Sequence, residues 1–257
     1  MSVYQHFRVE ERPFIDTVLD WKEGVLTRYQ PKCSDFLDPR QQDIIRHLLP
    51  NHDDVQLIFN GGYEQAERKR AILLPPYFSL GENDFNIVLF EIHYPKKFAQ
   101  LSHPELLGAL TGLGLVRDKF GDLLFHHDRV QFLAAKEIAD FVQMNLTSVG
   151  RVKVSCDMIA LSELVHTAEE WEESDGTVSS LRLDAVLSEI YRLPRSKAAA
   201  YIENGAVKVN WKRIEKPAYD LLAGDHLSLR GHGRSKVNGI YGTTKKGKQR
   251  IKYSHLK

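Results

Sequence analysis

The sequence has little cysteine and no long apolar segment. Its two cysteines, Cys33 and Cys156, lie far apart and match no metal-binding spacing. Isolated thiols of this kind are typical of a reducing compartment, which favours the cytoplasm. No apolar run reaches about 18 residues, so we expect no membrane-spanning helix. The charged start, MSVYQHFRVEERPF, is unlike a secretory signal. These absences predict a cytoplasmic protein without a membrane span.

Motifs for catalysis and cofactor binding are also missing. There is no Walker sequence, and the glycines of GALTGLG are too loosely placed for a dinucleotide fingerprint. His126, His127 and Asp128 are adjacent and could suggest a metal site. Neighbouring strand residues point to opposite faces, however, so a surface histidine pair is the simpler interpretation. We therefore predict no catalytic residues, no metal and no cofactor.

Acidic residues are scarce in the last third of the chain. Residues 181–257 hold 17 Lys and Arg against 6 Asp and Glu, a balance of +11. Residues 1–180 hold 18 against 28, a balance of −10, which the net charge of +1 conceals. Such asymmetry indicates a segment that binds a polyanion, attached to an acidic body. A basic tail that only improves solubility is the alternative interpretation.

Residues 1–80 are expected to form an N-terminal α/β region whose fold the pattern does not define. DPRQQDIIRHLLP predicts a helix with Asp38 as N-cap, Pro39 at its first position and Pro50 after its end. DVQLIFNGG predicts a strand that ends in a glycine turn. ERKRAILLPPYF is typical of a surface basic cluster that enters a buried strand and ends at Pro75.

Residues 81–165 are expected to form a middle domain with the element order β-α-β-β-α-β. This ferredoxin-like (RRM-like) arrangement is common in RNA-binding sheets, although unrelated proteins share it. LVRDKFGDLLFHHD predicts a hairpin that turns near residues 119–122, and RVQFLAAKEIADFVQMNL predicts mainly helix. The charged residues at the predicted tip either contact RNA or protein or form a salt-bridged turn. They are Arg117, Asp118, Lys119 and Asp122.

Residues 166–180 are acidic and then rich in Gly, Ser and Thr, which predicts a linker before a C-terminal domain at 181–240. RLDAVLSEI places its apolar residues on one helix face, and Pro194 precedes a second helix that Ser196 is expected to cap. The alanines of RSKAAAYIENG allow the two helices to approach closely, and AVKVN and DHLSL add a small sheet. Seven basic residues are left outside this core, which predicts one cationic face. They are Arg182, Arg195, Lys197, Lys212, Arg213, Arg230 and Arg234.

Two parts of this domain carry open interpretations. Asp184 lies in the first turn of its helix, where the helix dipole stabilises a carboxylate. It is expected to orient Arg182 rather than to act as a catalytic acid. The basic tail at 241–257 is either flexible until it orders on RNA or remains disordered and inert.

The C-terminal motifs resemble the RNA-binding domain named after small-subunit ribosomal protein four, here called the S-four domain. They occur in order as RLDAVLS, PRSKAAAYIENGAVKVN and AGDHLSLRGHGR, which together cover residues 181–236. One departure is Trp211, which follows the asparagine where the domain commonly has glycine. The resemblance, with the basic character of the segment, predicts phosphate contacts to structured RNA. The predicted RNA-binding residues are Arg182, Arg195, Ser196, Lys197, Tyr201, Asn210, Lys212, Arg213, Arg230 and Arg234.

The whole chain resembles the bacterial YlmH-like family, most specifically in GLVRDKFGDLLF and the S-four segment. The resemblance implies a non-enzymatic RNA-binding factor of ribosome-associated quality control. Such a factor would bind rRNA of the large ribosomal subunit near peptidyl-tRNA, with quality-control or cell-division proteins as further partners. The expected fold is α+β and multidomain: an N-terminal α/β region, a ferredoxin-like middle domain and a small C-terminal S-four-type RNA-binding domain.

Two other functions are compatible with an RNA-binding module. The first is an RNA-modifying enzyme, such as a pseudouridine synthase. Its catalytic motif has an Arg-Leu-Asp core, but the Arg-Leu-Asp at 182–184 lies inside the S-four pattern itself. The second is a cell-division scaffold for which RNA binding is secondary. The absence of an acid/base pair or cofactor motif favours the non-catalytic interpretation.

Overall fold

A computed structural model describes most of the chain: residues 4, 7, 9–50, 54–81, 84–126, 129–165 and 171–256. It divides into two compact units, Met1–Thr167 and Ala168–Lys257, here called the N-terminal and C-terminal units. Both mix helices and strands, which confirms the α+β class and the multidomain organisation. Among the residues just given, no helix is long and apolar enough to cross a membrane.

The first part of the N-terminal unit is a three-stranded antiparallel sheet with two helices. Its elements are α1 (Arg12–Arg28), β1 (Lys32–Leu37), α2 (Pro39–Leu48), β2 (Gln56–Asn60) and β3 (Lys69–Leu74). The strand order is β1-β3-β2, and Val18 of α1 and Ile45 of α2 pack against Leu73 of the central strand. The predicted start of α2 is confirmed, because Asp38 Oδ1 accepts a hydrogen bond from the Gln41 N–H at 2.8 Å and completes a capping box.

The basic cluster expected on the surface before β3 is instead largely buried. Arg68 and Arg70 are 6% and 5% exposed. Arg68 donates through Nη2 to the Phe36 carbonyl at 2.8 Å, and Arg70 donates through Nε to the Ser34 carbonyl at 2.7 Å. The prediction was wrong because β3 is the central strand of its sheet and is flanked by β1 and β2. The sequence around residue 70 does not indicate these flanking strands.

The middle part of the same unit has the expected order of elements. They are β4 (Ile87–His93), α3 (His103–Gly112), β5 (Phe120–His126), β6 (Arg129–Ala135), α4 (Ala139–Asn145), β7 (Ser148–Val149), β8 (Val152–Lys153) and β9 (Ser155–Ile159). The main sheet has the order β5-β6-β4-β9 with every pair antiparallel, which is the ferredoxin-like topology. Leu106 and Leu110 of α3 and Val142 of α4 belong to its core.

The positions of two elements differ from the sequence prediction. Residues 117–119 form a short 3-10 turn before β5, and Asp122 lies inside that strand, so the predicted hairpin tip is wrong. Residues 129–135 are a strand rather than helix, because β6 is almost entirely buried and its apolar run shows no alternation. His126 of β5 lies opposite Arg129 of β6 in the strand register, and His127 and Asp128, which follow His126 in the sequence, lie outside the described residues.

The C-terminal unit is a six-stranded antiparallel sheet with two helices on one face. Its elements are β10 (Trp171–Val178), α5 (Leu183–Ile190), α6 (Arg195–Glu203), β11 (Val207–Val209), β12 (Lys212–Arg213), β13 (His226–Leu229), β14 (Gly233–Thr243) and β15 (Gln249–Leu256). The strand order is β10-β15-β14-β13-β11-β12. Leu187 of α5 and Ala198 and Ile202 of α6 pack in one core with Val237 of the sheet. The small Ala198 is fully buried, as expected for closely packed helices.

Two segments predicted to lack structure are strands. Residues 171–178 of the predicted linker form β10, and residues 249–256 of the predicted flexible tail form β15. The two pair along their whole length, and the Lys252 ammonium lies 3.0 Å from the Glu173 carboxylate. The two strands carry opposite charges, and Ile251 and Tyr253 of β15 are buried. These features explain the pairing, although neither segment's sequence predicts a strand by itself.

Candidate nucleic-acid interface

The junction of α5 and α6 brings two of the predicted arginines onto one carboxylate. Arg182 donates through Nε and Nη2 to the Asp184 oxygens at 3.1 and 3.0 Å. Arg195 donates through the same two groups to the same carboxylate, both at 3.1 Å. Backbone hydrogen bonds hold the main chain at the start of α5, because the N–H groups of Leu183 and Asp184 donate to the carbonyls of Tyr219 and Pro217. The result is a rigid fork of two guanidinium groups.

Burial and charge are divided unequally within this fork. The Asp184 side chain is 7% exposed, whereas those of Arg182 and Arg195 are 41% and 48% exposed. Burial alone would raise the pKa of Asp184, but hydrogen bonds from the two arginines outweigh it and lower that pKa. One negative charge therefore holds two positive ones. Among the described residues neither guanidinium uses Nη1 in this contact, so both are able to meet an external phosphate. The expectation that Asp184 orients Arg182 is confirmed and extends to Arg195.

Three further predicted residues follow Arg195 on α6. Lys197 Nζ lies 5.9 Å from the centre of the Tyr201 ring, and Tyr201 Oη lies 3.4 Å from His232 Nε2. Ser196 is exposed but does not cap the helix, because α6 begins at Arg195 and Pro194 takes the N-cap position. Lys197 and Tyr201 come two and six residues after Arg195, about 160° and 120° around the helix from it, so they form a second polar group on another side of α6.

Asn210 lies in the turn between β11 and β12 and is engaged within the protein. Its Nδ2 donates to Asp225 Oδ1 at 2.7 Å, and its Oδ1 accepts from the His226 N–H at 2.9 Å. Asp225 is 5% exposed and also accepts the Leu222 N–H at 2.9 Å. Both polar ends of the amide therefore hold the turn, which gives Asn210 a positioning role, and its contact with RNA stays a prediction.

The remaining predicted basic residues lie on or beside strands, and Arg234, three positions before the buried Val237, points away from the two helices of the fork. Lys212 and Arg213 form the edge strand β12, Arg230 follows β13, and Arg234 lies on β14. Arg213 is ion-paired with Glu215 at 2.8 Å. Its guanidinium lies over Gly205, where a Cβ would fall 1.9 Å from Arg213 Nε. The expectation of one cationic face was wrong, because it treated strand and helix residues as one surface.

Sequence reasoning also missed a basic hairpin. Strands β14 and β15 extend beyond the S-four segment and pair as far as Thr243 and Gln249. The loop between them is mostly exposed and carries three lysines. They are Lys245, Lys246 and Lys248. The sequence feature that marks this hairpin is its high Lys content, which is equally typical of a disordered tail.

The charged residues before and within β5 form an internal network. Arg68 pairs with Asp118 at 2.9 Å, and Lys119 lies 2.6 Å from Asp35. Asp122 Oδ2 accepts the Tyr63 hydroxyl at 2.8 Å, and burial raises its pKa. These contacts favour the salt-bridge alternative for this segment, although the turn itself lies elsewhere.

Metal-binding geometry is not found in the part of the chain that the structure describes. No group of three or more His, Cys, Asp or Glu residues there is placed to hold a metal ion. Both cysteines are free thiols, and burial raises the pKa of Cys156 to about 11.

Known proteins match this arrangement along the whole chain. Residues 10–78 match a family model described as "YlmH, N-terminal", residues 81–163 one described as "Putative RNA-binding domain in YlmH", and residues 181–227 one described as "S4 domain". The ribosome-associated protein quality control protein P2 of Bacillus subtilis (strain 168) is 48% identical over 256 residues, which cover 100% of this chain and 99% of that protein. This chain belongs to the YlmH family. The predicted family is thereby confirmed, with an S-four domain at the C-terminus.

A solved structure agrees with this assignment. The cell division protein ylmH from Streptococcus pneumoniae is 32% identical, and the match covers 64% of this chain and 100% of that chain with a TM-score of 0.55. Arg182, Asp184 and Arg195 fall inside the segment that matches the S-four model, whereas β10, β14 and β15 lie outside it. The arginine fork therefore belongs to the S-four domain of the family.

Proposed function

We propose that this protein is a non-catalytic, cytoplasmic RNA-binding factor that docks on rRNA of the large ribosomal subunit near peptidyl-tRNA and assists the rescue of stalled translation. The observation that carries the proposal is the fork in which Asp184 holds Arg182 and Arg195 side by side. The name of the Bacillus subtilis relative supports the link to ribosomes and quality control.

Structured RNA suits this fork for a physical reason. Folded RNA presents closely spaced phosphates and 2′-hydroxyls on a defined surface, and proteins recognise it largely through its shape and backbone. Two guanidinium groups fixed on one carboxylate lose little conformational freedom when they bind adjacent phosphates. Lys197 and Tyr201, on another side of the same helix, add a separate contact with the RNA.

The test is binding to large ribosomal subunits at several salt concentrations. Arg182→Ala with Arg195→Ala should weaken binding by about tenfold or more and should lower the salt slope by roughly one unit for each lost phosphate contact. Arg28→Ala, at the exposed end of α1, is the matched control and should change neither quantity. If the double variant binds like the wild type at every salt concentration, the fork is not the docking site. Sequencing RNA crosslinked to the wild type in cells would then identify the actual site.

The name of the pneumococcal relative favours a second candidate, a scaffold for cell division. This role predicts a division protein that is captured equally well before and after RNase treatment. The RNA-binding role predicts instead that ribosomal proteins are captured and that RNase releases them.

A further inference from the structure

The face of the C-terminal sheet opposite α5 and α6, here called the helix-free face, is positively charged. Successive strand residues point to opposite sides, and Leu227, Val237 and Ile251 point toward the helices. The residues between them therefore lie on the helix-free face. Its cations include Lys208, Arg234, Lys236, Arg250 and Lys252, and the edge strand β10 adds the acids Glu173 and Asp175. Positive charge prevails on this face even after the pairing of Lys252 with Glu173.

Trp211 has a strained backbone beside this face. The turn between β11 and β12 has two residues, Asn210 and Trp211, with φ of 47° and 64°. A turn of this type favours glycine at the second position, because a side chain there is strained. Strain of this kind persists where the surroundings hold the residue in place, and it is concentrated at functional sites.

The Trp211 ring lies against another aromatic ring of the same face. Its centre is 5.1 Å from the His226 ring at an interplanar angle of 35°, and Trp171 meets the same ring edge-on at 6.4 Å. None of these three rings belongs to the hydrophobic core, and each is partly exposed. Lys236 lies directly opposite His226 in the strand register. The strain at Trp211 therefore serves no core packing, and it places an aromatic ring next to cations.

We propose that the helix-free face is a second RNA surface, which binds an unpaired segment. A base stacks on Trp211 and His226, while Lys236 and Lys208 contact the flanking phosphates. Aromatic rings stack with bases of any sequence, and Lys and Arg follow the backbone, which is the general chemistry of single-strand binding on sheets. The inference rests on the proposed RNA-binding function and adds a surface on the side of the sheet away from the arginine fork.

Trp211→Gly in the full chain tests this directly. Glycine is favoured at this position, so the variant should keep the fold and melt at the same or a higher temperature. Its affinity for an oligouridine RNA of about 12 nucleotides should fall by about tenfold, the effect of losing one stacked base. Its affinity for an RNA duplex should stay the same. Lys236→Gln should also weaken oligouridine binding and reduce its salt dependence, whereas Arg28→Gln, with the same loss of charge, should not.

Fluorescence identifies the ring that stacks. The chain has three tryptophans, Trp21, Trp171 and Trp211. In the variant with Trp21→Phe and Trp171→Phe, emission comes from Trp211 alone, and oligouridine should quench it. An oligoglutamate peptide of equal length should not. Quenching by the peptide and not by the oligonucleotide would show that the face binds acidic protein segments, and would overturn the proposal.

The outcomes separate this inference from the proposed function. If Trp211→Gly binds oligouridine as tightly as the wild type, the second surface is refuted, whatever the arginine variants do. Loss of both oligouridine and duplex binding in this variant would also refute it, because one surface would then serve both. Normal ribosome binding by Arg182→Ala with Arg195→Ala refutes only the proposed function. Support requires that Trp211→Gly lose oligouridine alone and that the arginine variant keep it.

Discussion

Arginine–carboxylate pairs occur in both units, and the burial of the partners is reversed between two pairs of the N-terminal unit and the fork. In these two N-terminal pairs the arginine is buried: the side chains of Arg68 and Arg70 are 7% and 6% exposed, whereas those of their partners Asp118 and Glu137 are 53% and 42% exposed. In the C-terminal unit the carboxylate of Asp184 is buried and its two arginines are about half exposed.

The difference separates a structural pair from one that is able to bind a ligand. Buried Arg68 donates to the carbonyls of Phe36 and Phe120 and so joins β1, β3 and β5. Its carboxylate partner faces solvent and mainly balances the charge. At Asp184 the buried partner is the anion, and the cations that it orients face outward. The exposed member of a pair therefore indicates the sign of charge that the surface offers to a partner.

The largest expected effect is loss of stability in Arg68→Met. Methionine replaces the aliphatic part of the side chain but leaves two buried carbonyls without their donor, at a cost of about 3 kcal/mol in the free energy of unfolding. Urea unfolding at neutral pH measures it. Arg46→Met, in an exposed pair with Asp43, should stay within about 0.5 kcal/mol of the wild type. Equal losses in the two variants would contradict the contrast between buried and exposed arginines.

Asp184→Asn should have an intermediate effect, mainly on binding. The fork loses its charged acceptor, so the two arginines are no longer held together, and affinity for large ribosomal subunits should fall by about threefold to tenfold. The variant also removes a negative charge, which by itself strengthens binding to RNA. Tighter binding would therefore show that charge outweighs orientation at this site.

The same variant should change the pH dependence of stability. The pKa of Asp184 is lowered in the folded protein, so its contribution is complete above the ordinary Asp pKa of about 3.9 and is lost as the pH falls toward the folded value. The free energy of unfolding of wild type and Asp184→Asn should therefore converge below about pH 4. A constant difference from neutral to acid pH would show that Asp184 stabilises the fold by packing alone.

The smallest expected effect is at the pair between β10 and β15. The side chains of Lys252 and Glu173 are 38% and 58% exposed, so solvent screens their attraction. A double-mutant cycle with Lys252→Gln and Glu173→Gln should give a coupling energy below about 0.5 kcal/mol. A larger coupling would mean that this exposed pair behaves like the buried ones and that exposure does not separate the two classes.

Local signals predicted the pair of Asp184 with Arg182 and the cap of α2 correctly, but they did not predict that Arg195 binds the same carboxylate. Asp184 lies two residues after Arg182, and proline with a small polar residue marked the start of α6 near Arg195. Each of these signals lies within one or two helical turns. The order of the middle elements was predicted for the same reason, since each element has its own apolar pattern.

Contacts between distant segments could not be predicted in this way. β10 and β15 are about 80 residues apart, and each is too polar to suggest a strand without its partner. Burial of Arg68 depends on Phe36 and Phe120, which come from two other strands. The strained turn was visible as Trp211 in place of glycine, but its stacking on His226 required the sheet.

The position of β10 at the edge of its sheet has a consequence for synthesis. In the described part of the sheet its neighbour is β15, about 80 residues further along the chain, so β10 has no strand to join until β15 has been made. Since chains fold from the N-terminus as they are made, the helices α5 and α6 emerge before β10 can enter the sheet. During synthesis, this unit is therefore completed only after β15 has left the ribosome.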